Sequence, residues 1–457
     1  RSSRVRAVFL SCFGLICASL GLTTCLICPW ARTARWLGSM SRHRSPTSVQ
    51  QTERIVVRID GTSYDLTTWK HPGGRTPLER HTGADITNLF YSNHFSPNVS
   101  AIAKFRLTQD SSTTSLRRTT SDIDPHSGLY RELKAAVKRR LVERGIPWRY
   151  KPAWQPFLVR LACALYCLQH GCGWGAQVAA AVYGFILARQ TWTHVHNGVH
   201  NPDAFGRGWK RALMSFDFAM LPDLWFGEHH AHHAHTNSDR DPDMRWFAPA
   251  FSYLTVARTG GRQWLPLLAG LLYPLLLPVM MSKTLLHILR DERPRRRAAM
   301  NRLLLQAALF TPLRFGLDLW IFGLKNFALA LATASVYLVV TFVATHTGSP
   351  ANFASEKSAD DDWMISQLRS TNNVAAHSRW WSWLCGGINL HIEHHLFPQV
   401  RSDALWHVVP VVRDFARLHG LPYHEYSSPF GLLSNHFSFL GTRRGIDSKM
   451  LAGAMHE

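Results

Sequence analysis

Three stretches of this sequence repeat histidine at spacings of three or four residues. Residues at those spacings are neighbours on a helix surface, so each stretch would place its imidazoles on one face if it is helical. The repeated histidines are His196 and His200 in the first stretch, His229, His232 and His233 in the second, and His391, His394 and His395 in the third. The second stretch, EHHAHHAHTN, also contains His230 and His235.

Many neutral imidazoles gathered in one place suit a transition metal such as iron, copper or zinc, because each ring offers one nitrogen lone pair and no charge. The eight repeated histidines exceed what one metal ion accepts, so the pattern predicts two metal ions. A single pair four residues apart is more often an ordinary surface or core feature, and it is the repetition that favours a metal centre. His287, His407, His419 and His424 lack such neighbours and are interpreted as ordinary residues.

Long apolar segments begin near Trp154 and would have to position the three stretches. Several approach the ~20 residues that a helix needs to cross a membrane. The segments cover residues 153–172, 174–190, 264–282, 303–324 and 326–345. Arg314 and Asp318 lie inside the fourth segment, one helical turn apart, and are expected to neutralise each other there.

The distribution of charged residues predicts how these segments are oriented in a membrane. Residues 138–151 and 290–302 are dense in basic side chains, whereas the connection QHGCGWG between the first two segments carries no formal charge. The positive-inside rule puts both basic segments in the cytoplasm. Residues 264–282 then have both ends on that side and are interpreted as re-entrant or interfacial, which leaves four crossing helices in two hairpins. All three histidine stretches fall on the cytoplasmic side.

A soluble module precedes the apolar segments, at residues 53–107. It contains a β-type alternation, RIVVRIDG, followed by turns and helical stretches. WKHPGG places His71 in a turn, and SNHFSP presents His94 23 residues later. Two histidines on opposite sides of an apolar pocket would bind haem iron at both axial positions and leave no site for dioxygen, which is the arrangement of an electron carrier. The residues expected to line that pocket are Leu66, Trp69, Ile86, Leu89 and Phe90.

The three histidine stretches resemble the histidine boxes of the membrane fatty acid desaturase family over roughly residues 152–422. EHHAHHAHTN with DPDM, and GGINLHIEHHLFPQV, are similar to its front-end acyl desaturases. HPGG, then G-A-D-I-T-x-x-F and the second histidine, resemble cytochrome b5 over residues 52–107. Fusion of that domain ahead of a desaturase is the arrangement of front-end enzymes.

The resemblance implies an oxygen-dependent oxidoreductase with haem b and two non-haem iron ions. Such an enzyme removes two hydrogens from an unactivated fatty acyl chain, linked to CoA or to a lipid, and inserts a cis double bond on the carboxyl side of existing ones. The electrons would pass through the fused haem domain from an NAD(P)H-cytochrome b5 reductase. The expected location is the endoplasmic reticulum membrane, with the haem domain and histidine boxes cytoplasmic, or else a plastid membrane.

Two departures and one additional element bear on this resemblance. His391 stands where front-end members usually have Gln, and Asn197 stands where they have Asp. Asn197 is expected to affect orientation more than ligation, because the spacing of the first histidine pair is intact. Asn373 and His377, in NNVAAH, resemble an element of the acyl-CoA desaturase branch that supplies one more histidine and a water-linked asparagine. His377 is thus either a ninth metal ligand or a solvated loop histidine.

These observations predict an α-helical polytopic membrane protein with four transmembrane helices and a histidine-rich cytoplasmic helical cap, preceded by a small α+β haem domain. The expected divisions are a leader or targeting segment that need not be native (1–47), the cytochrome b5-like domain (48–107), a linker (108–150), the desaturase domain (151–430) and a C-terminal tail (431–457). The linker includes a stretch rich in Ser, Thr and Asp at residues 108–127.

Other functions compete with this interpretation. An acyl-chain hydroxylase, or a sphingolipid hydroxylase or desaturase, of the same family would share the scaffold, and histidine spacing does not separate these reactions. From another class, the chain could be a membrane-anchored haem electron carrier whose histidines bind zinc structurally. The net charge of +21 raises nucleic acid as a partner, but the basic residues are spread along the membrane flanks without a recognition motif, so no nucleic acid is expected.

Overall fold

A computed structural model gives the fold of most of the chain. The residues it describes are 54–71, 78–79, 81–95, 99–107, 128–171, 173–201, 216–218, 222–238, 241–245, 294–343, 345–348 and 362–441. The predicted leader (1–47), the apolar segment 264–282 and His287 lie outside these residues.

The N-terminal module begins with a β-hairpin. Strands β1 (Val56–Ile59) and β2 (Thr62–Asp65) pair antiparallel, and the two-residue connection has positive φ at both positions, as a type I′ turn requires. Val57 and Ile59 are buried on one face, which confirms the predicted alternation. Helix α1 (Thr87–Ser92) and a 3-10 helix contribute to the same apolar core, so the described part of the module is a small α+β unit.

Helix α2 (Gly128–Glu143) lies within the predicted linker, so this part of the linker is a packed helix instead. Its buried residues recur every three or four positions and belong to the same core as the third histidine stretch. They are Tyr130, Leu133, Val137 and Leu141. The Tyr130 hydroxyl also donates a hydrogen bond to the carbonyl of Leu396 at 2.9 Å. The many Lys and Arg residues between the apolar positions masked this stripe in the sequence.

Helices α3 (Gln155–His170) and α4 (Trp174–Gln190) form a hairpin at the position of the first two apolar segments. Helix α4 continues through a π-helical turn (Thr191–His196) into the short helix α5 (Asn197–His200). The first histidine pair therefore lies just beyond the hairpin on a continuing helix, as predicted. Helix α6 (Pro222–His235) carries the second histidine stretch.

Helix α7 (Pro294–Leu338) is not one straight helix, because Gly323 interrupts it with φ 67° and ψ 167°. The ring centroids of Phe315 and Phe327 are 5.9 Å apart, whereas twelve residues of continuous helix would separate them by ~18 Å. The two limbs of α7 therefore fold back on each other as a second hairpin. A second π-helical turn, Val339–Val343, follows α7.

The two hairpins pack side by side. Asn326, near the second turn, donates a hydrogen bond to the carbonyl of Gly171 at the first turn, with a length of 2.9 Å. Gly184 of α4 lies so close to the backbone of Ala330 that a Cβ atom would overlap its carbonyl oxygen. Among the described residues, one stretch is long and apolar enough to cross a membrane by length and composition alone, Pro312–Thr341, and the turn at Gly323 divides it between the two limbs of α7. The four crossings stay a prediction.

A buried polar network joins the hairpins. Arg314 pairs with Asp318, as predicted, and also bonds the Tyr183 hydroxyl. Arg160 of α3 forms a bidentate ion pair with Asp217, with nitrogen–oxygen distances of 2.5 and 2.9 Å. Each positive charge has a carboxylate beside it, which offsets the cost of burying charge between apolar helices.

The C-terminal part of the chain forms a cap of short elements. They are α8 (Trp363–Ser370), β3 (Asn372–Val374), α9 (Arg379–Leu384), α10 (His391–Leu396), α11 (Val409–Leu418), β4 (His424–Tyr426) and α12 (Pro429–Gly441). Strands β3 and β4 pair in parallel, and α10 carries the third histidine stretch, as predicted. Gly387, with φ 84°, lets the chain pass close to Ser402, because a Cβ there would lie 2.6 Å from the Ser402 carbonyl oxygen.

Replacing Gly184 by Ala should destabilise the protein, because the added methyl group must displace the Ala330 backbone. Overpacking of this kind costs about 1–3 kcal/mol. Gly316 is the matched control: its Cβ would meet open space, so Gly316→Ala should be neutral or stabilising by about 0.5–1 kcal/mol. Thermal unfolding in detergent measures both effects, and equal midpoints for the two variants would contradict the close packing of the hairpins.

Candidate metal centre and haem site

Nine buried histidines converge where the ends of the two hairpins meet α6 and α10. Eight of them are the histidines that repeat in the sequence, and each of the nine is at most 4% exposed. The ninth is His346, which follows the π-helical turn after α7. The three histidine stretches therefore meet in space, as predicted.

The ring nitrogens form two groups. The first group consists of His196, His200, His229, His233 and His394, and the second brings together His232, His346 and His395. Within each group the ligand atoms lie within 4.8 Å of one another. His391 joins the second group, because its Nε2 atom is 2.6 Å from Nε2 of His346. Two groups of imidazoles are the arrangement that two metal ions would need.

Neighbouring Nε2 atoms face each other at distances that suit a shared cation. The distances are 3.1 Å between His229 and His233, 3.1 Å between His233 and His394, and 3.2 Å between His232 and His346. Two metal–nitrogen bonds of ~2.0–2.1 Å that meet near a right angle hold their nitrogens ~3 Å apart. The pairs are therefore spaced as ligands of one ion are.

In the second group, the ring nitrogen that faces away from the other histidines, Nδ1, contacts oxygen atoms of residues outside the group. Nδ1 of His232 is 2.9 Å from both carboxylate oxygens of Asp241, and Nδ1 of His395 is 2.9 Å from Oε1 of Gln367. In the other two rings of this group Nδ1 lies 3.0 and 3.2 Å from backbone carbonyl oxygens. A ring that donates its Nδ1–H group in this way keeps the Nε2 lone pair for a metal.

Burial decides the charge of most of these rings. It lowers the pKa of His229, His233 and His394 well below the usual histidine value, and charges on neighbouring histidines lower it further. These rings are therefore neutral at physiological pH, which is the form that binds a metal. His232 differs: burial lowers its pKa, but the carboxylates of Asp241 and Asp243 outweigh burial and raise the pKa to about 9, so a metal that binds its Nε2 atom must displace a proton.

Several buried nitrogens of the first group have no hydrogen-bond partner among the described residues. They are Nδ1 of His196, His229 and His233, and both ring nitrogens of His200. Leaving a buried polar atom unsatisfied costs about 1–3 kcal/mol. Nε2 of His229, His233 and His394 instead face one another, and because the group as described contains no carboxylate, metal cations that accept these Nε2 lone pairs fit this donor set.

Asn197 ties the first histidine pair to the cap. Its Oδ1 atom accepts hydrogen bonds from the backbone N–H and the hydroxyl of Ser402, both at 3.0 Å. Its Nδ2 atom donates to the carbonyls of Trp192 and Thr193, both at 3.2 Å. Asn197 therefore orients α5, as the sequence predicts, and contributes no ligand atom to either described group.

His346 is the ring that the sequence pattern misses, because it has no histidine three or four residues away. Its position is the signal that could identify it: it directly follows the last apolar segment, 326–345, on the side predicted to be cytoplasmic. A π-helical turn precedes His346, and another includes His196. Turns of this type are frequent at functional sites.

The structure does not bring His377 to the cluster; its side chain is exposed, which supports the solvated-loop alternative. Asn373 is buried, but its amide donates to the Glu393 carboxylate at 2.8 Å and to the Tyr423 hydroxyl at 2.9 Å. Its side-chain oxygen accepts from the N–H of Ile392. The four-residue spacing misleads because Asn373 lies in strand β3, where residues four apart do not form a helical face.

His71 and His94 face each other in the N-terminal module, with ring centroids 6.0 Å apart and planes at 85°. If one metal ion is bound by both rings, the two metal–nitrogen bonds of ~2 Å and the distance from each nitrogen to its ring centroid add up to about this separation. Nδ1 of His94 is 2.6 Å from the carbonyl oxygen of Phe90, which leaves Nε2 for a metal. The five predicted pocket residues all belong to the apolar cluster of this module. The pair therefore fits the two axial ligands of a haem.

Known proteins match both parts of the chain. The profile described as Fatty acid desaturase matches residues 172–427, and the profile described as Cytochrome b5-like Heme/Steroid binding domain matches residues 40–128. The chain is 24% identical to a Delta(8)-fatty-acid desaturase of Helianthus annuus, over 85% of this chain and 86% of that protein. It is 25% identical to Delta(5) fatty acid desaturase A of Dictyostelium discoideum (84% and 89% covered) and 28% identical to Fatty acid desaturase 3 of Bos taurus (86% and 89% covered).

Replacing His346 by Ala should lower the metal content of the purified protein, because the second group loses a converging imidazole. Loss of even an outer contact to a ligand commonly weakens metal binding by ~10–100-fold, and loss of a ligand should have at least that effect. The exposed His377 supplies the matched control, since His377→Ala should keep its metal. Mass-spectrometric metal analysis of both variants checks this, and the opposite result would return the ligand role to His377.

Proposed function

The chain belongs to the fatty acid desaturase family and carries a cytochrome b5-like domain ahead of the desaturase part, and on this basis we propose that it is an oxygen-dependent di-iron desaturase. It removes two hydrogens from a fatty acyl chain, linked to CoA or to a lipid, and leaves a cis double bond. The observation that carries this proposal is the pair of buried imidazole groups to which all three histidine stretches and His346 contribute.

Two non-haem iron ions would bind, one in each group. Imidazole ligands suit iron as well as zinc, but the reaction requires a metal that changes its oxidation state, which zinc does not. Bound iron would supply the activation of dioxygen. Reduction of dioxygen to two water molecules takes four electrons, of which the two C–H bonds supply two. The haem domain must therefore deliver the other two.

Apolar side chains shield the first group from water. The Trp225 ring is 5.8 Å from that of His196 and 5.1 Å from that of His229, measured between centroids. The Trp192 ring also packs against that of His196, with centroids 5.7 Å apart. An acyl chain would approach along this apolar surface. Exclusion of water strengthens electrostatic interactions in such a site and prevents side reactions.

His71 and His94 would hold haem b in the N-terminal module. A haem with histidine on both sides transfers electrons and has no free position for dioxygen. This separates the task of the module, which is electron delivery, from that of the two histidine groups, which is oxygen chemistry. The electron donor that we propose for the module is an NAD(P)H-cytochrome b5 reductase.

Exposed apolar side chains support a membrane location. They run along α3, α4 and both limbs of α7; examples are Leu161 at 55%, Trp320 at 59% and Leu324 at 76% exposure. Water-soluble proteins rarely expose large continuous apolar surfaces. We place the four helical limbs across an endoplasmic reticulum or plastid membrane, with the haem domain and the histidines on the cytoplasmic side. The basic residues 138–151 and 290–302 support that orientation.

Protease accessibility of inserted tags tests the orientation. A tag between Arg295 and Arg297 should be cleaved in sealed microsomes, because this basic segment is expected on the cytoplasmic side. A tag at Gly173, in the uncharged turn between α3 and α4, is the control and should be protected. Protection of the first tag with cleavage of the second would reverse the proposed topology.

The position of the new double bond is proposed from the resemblance to front-end enzymes. The relatives named above include a Delta(8) and a Delta(5) desaturase. His391, the main departure from the front-end pattern, has its Nε2 atom 2.6 Å from Nε2 of His346, so the substitution adds an imidazole to the second group. If the enzyme selects the reacting carbons by their distance from the polar head group, the new double bond falls between the carboxyl end and an existing double bond.

Feeding experiments in yeast test the reaction and its position together. Cells that express the chain and receive linoleic acid, α-linolenic acid or their elongated C20 products should form acids with one additional double bond on the carboxyl side. His394→Ala, which removes an imidazole from the first group, is the control and should give no new product. The position of each double bond is read from mass spectra of derivatised acids.

Other outcomes identify the competing functions. A new bond only on the methyl side, or only in saturated chains, would reject the front-end position. A hydroxylated acid in place of an unsaturated one would identify a hydroxylase. Zinc in the purified protein, with no oxygen-dependent product, would identify a haem electron carrier with structural metal.

A further inference from the structure

His230 belongs to the second histidine stretch, yet neither described metal group includes it. Its ring stacks on that of His200, with centroids 5.4 Å apart and planes at 23°. The ring also donates a hydrogen bond to the backbone carbonyl of Val199, which fixes its orientation. His230 therefore touches the first metal group without being one of its ligands.

The helix that carries His230 also contacts the N-terminal module. Helix α1 of that module packs against α6, which carries His230. His94 lies two residues beyond the end of α1, and its ring is 4.7 Å from that of Phe90 in α1, measured between centroids. His230 thus contacts a ligand of the first metal group and lies on a helix that packs against the module of the haem pair.

Specific contacts hold the module in this position. The backbone N–H of Phe95 donates to the side-chain oxygen of Gln399 at 2.6 Å, and Lys134 Nζ donates to the carbonyl of His94 at 3.1 Å. The ring of Phe95 also meets that of Phe397, with centroids 5.8 Å apart. Phe95, which follows the proposed haem ligand His94, is therefore hydrogen-bonded to the segment that follows the third histidine stretch.

We propose that His230 is a positioning residue that couples the haem pair electronically to the first metal group, an inference that rests on the proposed function. In each transfer one electron leaves ferrous haem, which becomes ferric, and one ferric ion of the metal centre becomes ferrous. No covalent bond forms or breaks. Two such transfers, with the haem reduced again by the reductase in between, supply the two electrons that desaturation requires.

A second path would run from His94 through Phe95 and Phe397 to the third histidine stretch. It crosses a ring-to-ring gap of 5.8 Å and then follows the backbone from Phe397 back to His395. The His230 path follows no backbone segment on the side of the metal centre, because the His230 ring stacks directly on a ligand of the first group. This smaller number of steps favours His230.

Electron transfer in the full-length protein, measured without dioxygen, tests the proposal. A photochemical donor reduces the haem in a flash while the metal centre is ferric, and the loss of the ferrous haem absorbance is followed. His230→Leu should slow this loss about tenfold, equivalent to about 1.4 kcal/mol in the barrier. His230→Phe, which keeps a ring stacked on His200, should retain most of the rate. His235→Leu, at the end of the same helix, is the matched control and should equal the wild type.

Other measurements separate this role from a structural one. His230→Leu should keep the haem spectrum, the iron content and the thermal midpoint of the wild type, and chemical reduction of its iron should restore product in a single turnover. Loss of iron in this variant would overturn the proposal, because His230 would then be a ligand. So would an unchanged transfer rate, or slowing by Phe95→Leu alone. If the wild-type haem passes no electron to the metal centre, the proposed function fails and the inference with it.

Discussion

The removal of nine clustered imidazoles from water is the constraint on which the rest of the structure depends. A histidine ring loses hydrogen bonds to water when it is buried, and the rings of the first group regain few of them from the described residues. The Nε2 atoms of these neutral rings face one another at 3.1 Å, and cations that accept their lone pairs stabilise this arrangement. Metal binding is therefore expected to contribute to the stability of the folded chain as well as to its chemistry.

The surrounding elements hold the two groups in different ways. In the second group, Asp241, Gln367 and backbone carbonyls orient the rings through Nδ1. In the first group, orientation comes from packing against tryptophan rings and from Asn197, which joins α5 to the cap. Gly387 allows the segment before α10 to approach Ser402 closely. Metal–ligand bonds tolerate little displacement, so these indirect contacts are needed for the geometry of both groups.

Charge and polarity are distributed according to the surroundings of each part. Between the hairpins, Arg160 and Arg314 are each paired with a carboxylate, while the outer faces of the same helices are apolar. The N-terminal module is attached through a few directional hydrogen bonds next to His94. The result is a series of contacts from the proposed haem ligands to the segment that carries the third histidine stretch.

Local periodicity was sufficient to identify most of the site. Histidines three or four residues apart share a helix face wherever the chain is helical, so the three stretches were recognisable from spacing alone. The apolar segments likewise indicated the two hairpins, and the WKHPGG turn with the later histidine indicated a haem pair. Each of these features depends on residues that are close together in the chain.

Long-range packing decided the remainder. His346 has no histidine at helical spacing and joins the second group only because the second hairpin ends beside α6 and α10. Asn373 and His377 have ligand-like spacing, but pairing with β4 places Asn373 in a strand and turns its side chain to Glu393. Helix α2 was not predicted, because basic residues separate its apolar positions in the sequence. Only the tertiary structure shows that those positions pack in one core with the third histidine stretch. Periodicity defines which residues share a face, whereas contacts between distant segments determine which faces meet.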